Sequence, residues 1–303
     1  WLPIVSANGF FAPNIESLFY LKYWFKVQMQ LNDDPVEARD AFAAGESHIL
    51  WGTLDMMALF APDLMKDSRT APRIFQQIDW SSGGDGIVVR DYIKNVEDLK
   101  GKTVAVPASD GHKVMWPAFA NLIGVNAADV KFVNIEPTAK PAALGTKKAD
   151  VVFELYTGKP FMEKAVPADK LGVLLWADYG FNAYAHSYIA SEDFIKSNPE
   201  ALRKFLKVVY RSWEFTLNNI PESIDILSKY HPINRDDFVA NLTAVREFFK
   251  TDRYRNFGIG YIDAARMQDT INTVKEKGVD IKGDPKDFYT VDFLPVPPYK
   301  YNF

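Results

Sequence analysis

Stretches that read as strands alternate with stretches that read as helices from the start of the chain to about residue 190, and such an alternation leaves few folds open. "KVQMQL" at 26–31 alternates apolar and polar side chains as a strand does. Behind it, Asp34-Pro35-Val36-Glu37 supplies an N-cap, a proline at the first helical position and an acid two residues later. The spacing predicts a helix through "VEARDAFAAG" that stops at Gly45. Strands are predicted over "WLPIV" at 1–5, "HILWG" at 48–52, "RIFQQI" at 73–78, "GIVVR" at 86–90 and "TVAVP" at 103–107, with a helix over "DMMALFAPDLM" at 55–65. "VKFVNI", "DVVFEL" and "GVLLWA" add three strands, and Pro141 and Gly145 open and close a short helix among them. The expectation is an α/β protein with mainly parallel sheet.

Beyond "SYIAS" at 187–191 the pattern turns mostly helical, with "NPEALRKFLKVVYRSWEFTLNN", "PESIDILSKYH", "RDDFVANLTAVREFFK" and "IDAARMQDTINTVKEKG" in succession. Leu202, Phe205, Val208 and Val209 recur at helical spacing and read as packing residues. There is no internal repeat and no Pro/Gly/Ser-rich linker. Instead, the strand-like segments "DGIVVR" and "HSYIAS" bracket a middle block, so the expected organisation is one lobe inserted into another. The first lobe is 1–85 plus 187–303, the second is 86–186, and the two crossing strands form a hinge that closes a cleft.

The chain of 303 residues is 48% hydrophobic and 24% charged, enough to bury a large core. Its net charge is −4 and its Lys and Arg are scattered, so no nucleic-acid partner is expected. No apolar run reaches the length of a membrane-spanning helix. The absence of cysteine excludes disulfides, thiolate metal sites and Cys nucleophiles. "GKT" at 101–103 imitates the end of a phosphate-binding loop, but Val96 stands where the loop needs glycine and a strand follows. His48, His112, His186 and His231 lie far apart without ligand spacing, so neither a metal site nor a cofactor is expected. There is no Gly-x-Ser-x-Gly elbow, and Ser109, Asp110 and His112 are too close in sequence to align as a catalytic relay.

Binding residues are better sought where strands end. In open α/β sheets ligands bind outside the carboxyl ends of the strands, where helix N-termini present unpaired N–H groups. "VAVPASDGHKVMW" at 104–116 has that layout, with Ser109 or Asp110 as N-cap and Gly111 letting the backbone approach a ligand. Pro117 predicts a kink or a late helix start with Trp116 just outside. Three other junctions repeat the theme: Trp51, Thr53 and Asp55 in "WGTLDM", Ser81 and Ser82 in "DWSSGGDG", and Asn8 and Phe10 in "SANGFFAP". Each alone is a turn; together they supply the hydroxyls and aromatics that line a small-molecule cleft.

"NVEDLKGKTVAVPASDGHKVMWPAFANLIGVNAADVKFVNI" resembles the middle segment of type II periplasmic solute-binding proteins serving nitrate, sulfonate and taurine importers. That superfamily also holds enzymes and binding proteins of thiamine-pyrimidine metabolism. "ESHILWGTLD", "QQIDWSSGGDGIVVRD" and "ALGTKKADVVFELYTGKP" resemble further segments of it, although Phe153-Glu154-Leu155 stands where the family often has Trp-Glu-Pro. The resemblance implies two α/β lobes with a ligand clamped between them, a periplasmic location, and delivery to the permease of an ABC importer. A monomer is expected, as is a signal segment upstream of Trp1. By this carry-over the first lobe contributes Asn8, Phe10, Trp51, Thr53, Asp55, Ser81 and Ser82 to the ligand. The second contributes Ser109, Asp110, His112, Glu154 and Tyr156, with Tyr179 and Asn182 on the return crossing.

Exposed N–H groups and hydroxyls favour an oxyanion, whereas Asp55, Asp110 and Glu154 repel one unless they cap helices or meet an amine. No Arg or Lys stands among the nominated residues. The expected ligand is therefore a small organic molecule with donors and acceptors, its apolar body packed on Phe10, Trp51 or Trp116; taurine-like, sulfonate-like, pyrimidine and aromatic-acid ligands all fit. The alternatives are a biosynthetic enzyme of pyrimidine or menaquinone precursor synthesis, with His112, Asp110 or Glu154 as acid or base, and a ligand-sensing ectodomain.

Overall fold

The computed structural model describes residues 4–8, 28–32, 35–53, 63–77, 85–108, 110–181, 183–184, 186–229, 234–250, 252–275 and 284–300. In chain order its first elements are β1 (Ile4–Asn8), β2 (Gln28–Asn32), α1 (Pro35–Ala43), β3 (Ile49–Thr53), β4 (Pro72–Gln77), β5 (Asp85–Arg90) and β6 (Thr103–Val106). Then come α2 (Gly111–Leu122), β7 (Lys131–Asn134), α3 (Lys140–Gly145), β8 (Val151–Leu155), α4 (Lys159–Met162), β9 (Leu171–Leu175) and β10 (His186–Ser191). The remainder is helical: α5 (Glu192–Ser197), α6 (Pro199–Asn218), α7 (Ile220–Leu227), α8 (Arg235–Phe248), α9 (Asp252–Phe257) and α10 (Ala264–Lys275). No described helix is long and apolar enough to cross a membrane.

The strands form two five-stranded sheets, ordered β2-β1-β3-β10-β4 and β7-β6-β8-β5-β9. In each, four strands run one way and one is reversed: β10 is antiparallel to β3 and β4, and β5 is antiparallel to β8 and β9. The reversed strands are the two that arrive from the other sheet. This arrangement decides where the carboxyl ends lie. His186, at the start of β10, pairs with Thr53 at the end of β3, and Ser187 pairs with Gln77 at the end of β4. Likewise Asp85, at the start of β5, pairs with Leu155 at the end of β8. Each crossing thus leaves one carboxyl edge and enters the other sheet at its carboxyl edge. The first crossing spans only residues 78–84, a tether that reaches at most about 29 Å between its anchors.

The first sheet packs on α6, whose Leu202, Phe205, Val208 and Val209 are all buried against Ile49, Phe75 and Tyr188 as the helical spacing requires. The second sheet carries an aromatic core in which Phe119 of α2 stacks on Trp176 with centroids 4.4 Å apart, and Trp176 meets Phe153 edge-on. Two expectations shift. The strand predicted over 1–5 runs on to Asn8, because its parallel pairing with β2 continues to Asn8 opposite Asn32, while residues 1–3 lie outside the described residues. In α2, Pro117 neither delays the helix nor leaves Trp116 outside. The helix starts at Gly111, Pro117 lies on its exposed side, and Trp116 is buried with its indole N–H donated to the Ala127 carbonyl at 3.0 Å. The predicted helix over 55–65 lies largely outside the described residues.

Candidate functional site

The turn from β6 into α2 brings Asp110 to the helix N-cap, where Oδ1 accepts from the His112 backbone N–H at 2.9 Å. The same oxygen lies 2.9 Å from His112 Nδ1, so the imidazole is held over its own cap. Its ring points inward, edge-on to Trp176 at 5.4 Å between centroids. One strand over, Glu154 is the last residue but one of β8, and its Oε1 accepts from the Leu155 N–H at 3.0 Å. Between the two acids stands Lys140, the first residue of α3. Its ammonium donates to Asp110 Oδ2 at 3.2 Å, to Glu154 Oε2 at 3.2 Å and to the Phe153 carbonyl at 2.8 Å. All three donors of the ammonium are used, so Lys140 welds the head of α2 to the end of β8.

The electrostatics follow from this geometry. Burial opposes the Asp110 charge, but the Lys140 ammonium and His112 outweigh it and hold the carboxyl well below its ordinary range. Burial likewise opposes the Lys140 charge, and Glu154 and Asp110 together push its pKa up to about 12. The cluster holds two carboxylates to one ammonium. Glu154 also needs space: a Cβ at Gly158 would stand 2.5 Å from Glu154 Cγ, so a glycine in the following turn accommodates the side chain. Tyr156, beside it, is exposed.

The structure brings Asp110, His112 and Glu154 together at the carboxyl edge of the second sheet, with Tyr156 adjacent. Tyr179 packs elsewhere, edge-on to Phe119 in the middle of α2, where burial raises its pKa. On the first sheet, Asn8 and Thr53 end β1 and β3, while the Trp51 ring is buried in the core cluster with Tyr188 and Phe205 and lies 5.5 Å from His186. Trp116, expected as a packing surface for a ligand, is sealed in the core of the second sheet, because α2 begins early enough to turn it inward. Phe10, Asp55, Ser81, Ser82, Ser109 and Asn182 lie outside the described residues.

Two features escaped the sequence reading. Lys140 is one; a lysine directly before a helix-opening proline places a cation at the positive end of the helix dipole, which was the available signal. The other is the pair Gln76 and Gln77 at the end of β4, both buried. Gln77 donates to the His186 carbonyl at 2.7 Å and accepts from Ser187 Oγ at 2.8 Å, tying the departure of one crossing to the arrival of the other. Tyr210 OH donates to Gln76 Oε1 at 2.6 Å from the helical side.

Residues 85–223 match the model of the NMT1/THI5 like family. A protein of Brucella abortus named as a binding protein is 23% identical over 219 residues, covering 69% of this chain and 66% of that protein. The riboflavin-binding protein RibY of Chloroflexus aurantiacus is 27% identical over 210 residues, covering 67% of this chain and 59% of its own. The chain thus matches less than two thirds of the length of these relatives. Among solved structures, the periplasmic aliphatic sulphonate binding protein SsuA from Escherichia coli superposes with a TM-score of 0.70 at 16% identity, covering 94% of this chain and 96% of its own. The ligand binding component of an ABC-type import system from Staphylococcus aureus gives 0.66 at 14% identity, covering 96% and 97%. The chain has the periplasmic binding protein fold.

Proposed function

We propose that this chain is the extracytoplasmic solute-binding protein of an ABC importer, which grips a small organic solute between two lobes and hands it unaltered to a permease. The observation that carries this reading is the pair of carboxyl edges tethered to each other by two crossings, the second of which runs from Leu175 to His186. Loops at such edges are where α/β proteins bind small molecules, and two crossings make a hinge. The binding-protein names of the relatives and the fold of the neighbours support it. On this reading the lobes are 1–85 plus 187–303 and 86–186, and the solute touches Asn8, Thr53, Glu154 and Tyr156 among the described residues.

The far wall favours a particular kind of solute. Among the described residues this wall holds two carboxylates to one fully engaged ammonium, a charge balance that suits a solute bringing N–H or O–H donors and disfavours a bare sulfonate. That sets riboflavin, the ligand in the name of RibY, above the aliphatic sulfonate in the name of SsuA as a first probe. Turnover is not part of the proposal. Both oxygens of Asp110 and of Glu154 already accept hydrogen bonds, which leaves neither poised as a general base.

A thermal-shift titration tests the proposal. A solute at about a hundred times its Kd stabilises the folded state by about 2.7 kcal/mol, so a rise of several degrees with riboflavin or another donor-bearing heteroaromatic is expected, and none with ethanesulfonate. Absence of a shift with every small organic solute tried contradicts the binding reading. A shift with ethanesulfonate alone contradicts only the ligand preference.

A further inference from the structure

Helix α8 belongs by packing to the first sheet's half of the molecule. Its Val245 lies in the core cluster of α6, and its Phe238 and Leu242 pack on Ile220, Ile224 and Leu227 of α7. Yet the same helix reaches the inserted segment at three successive places. Asp237 forms an ion pair with Lys164. One residue on, Phe238 meets Phe161 of α4 edge-on, with centroids 6.1 Å apart. One helical turn further, Asn241 donates from Nδ2 to the Thr157 carbonyl at 2.7 Å, with both residues buried.

Thr157 lies in the turn that directly follows Glu154 and Tyr156, and its neighbour Gly158 is the residue that leaves room for the Glu154 side chain. A grip on this turn is therefore a grip on the wall of the candidate site. Because the contacts join α8 to the segment between the two crossings, hinge opening that carries the second sheet away from α8 must break all three.

We infer that α8 is an interlobe latch and that Asn241 is its positioning residue: by holding the Thr157 carbonyl it sets the turn behind Glu154 and favours the closed arrangement of the lobes. The inference rests on the two-lobe reading but not on any identified solute. A buried amide–carbonyl bond, a ring contact and a half-exposed ion pair together suit a latch that releases, since none alone is strong enough to fix the lobes permanently.

The chain has no cysteine, so cysteines placed at the exposed Lys148 and Glu200 can carry the only two spin labels. Pulsed dipolar spectroscopy then reads the distance between the halves without any ligand. Wild type is expected to show a short-distance population. Losing one buried hydrogen bond in Asn241→Ala should cut the ratio of short to long distances about fivefold. Asp237→Lys should lower the same ratio, and adding Lys164→Glu should restore it, which a merely structural loss of α8 would not do. The charge-swapped pair also keeps the test decisive if Asn241→Ala folds poorly. A wild type without a short-distance population, or variants whose distances match it, overturns the latch.

Discussion

Lys140 stands where a cation is least welcome, at the first turn of a helix and away from water. Only the two carboxylates and the Phe153 carbonyl make that tolerable, so the three side chains should behave as one unit. Lys140→Met removes the charge but keeps the bulk, and leaves two buried acids facing each other; we expect a loss of about 3–5 kcal/mol in urea unfolding. The pH dependence has a definite sign. Asp110 has its pKa depressed in the folded state, so its stabilisation is complete above the ordinary aspartate pKa of about 4 and fades as pH falls below it. Lys140, with its pKa raised, contributes fully below its ordinary value and loses its share as pH climbs through about 12. Asp110→Asn should accordingly flatten the acid limb of a stability–pH curve measured between pH 5 and pH 2. Asp110 was legible as an N-cap because a cap is a local pattern. Its partner was not, since Lys140 is thirty residues away and meets it only after β7 has been laid beside β6.

At the scale of elements, strand periodicity and helix caps placed nearly every regular segment, because burial on one face writes itself into consecutive residues. Pro117 is by itself a local breaker, but a helix anchored by the Asp110 cap and by Met115, Trp116 and Phe119 in the core accepts a proline on its outer side. Pro117→Ala should therefore stabilise the protein, by up to about 3 kcal/mol, readable as a higher urea midpoint with unchanged slope. The glutamines ending β4 illustrate the opposite limit. "QQ" looks like a strand running out toward solvent, whereas both side chains are buried and satisfied by β10 and α6, contacts more than a hundred residues away. Gln77→Ala would leave the Ser187 hydroxyl and the His186 carbonyl short of a partner, at a cost of about 1–3 kcal/mol.

The whole molecule is two sheets whose carboxyl edges are held near each other by two crossings and braced by the helical C-terminal part. That part fastens the second crossing as well: the Tyr184 N–H donates to Thr270 Oγ1 at 3.0 Å, its hydroxyl accepts from the Asp263 N–H at 2.8 Å, and Arg266 covers its ring. On the proposed reading the chain opens and closes about the crossings, which is the behaviour a solute carrier needs. On this reading the gap between the edges takes up one small organic molecule and leaves it chemically intact. Native mass spectrometry of the protein purified from its source tests this most directly. The account predicts one copurified solute per chain, released on denaturation with the mass it had when bound and recoverable unchanged after incubation with fresh protein. A solute that emerges chemically altered, or a chain that retains none, contradicts it.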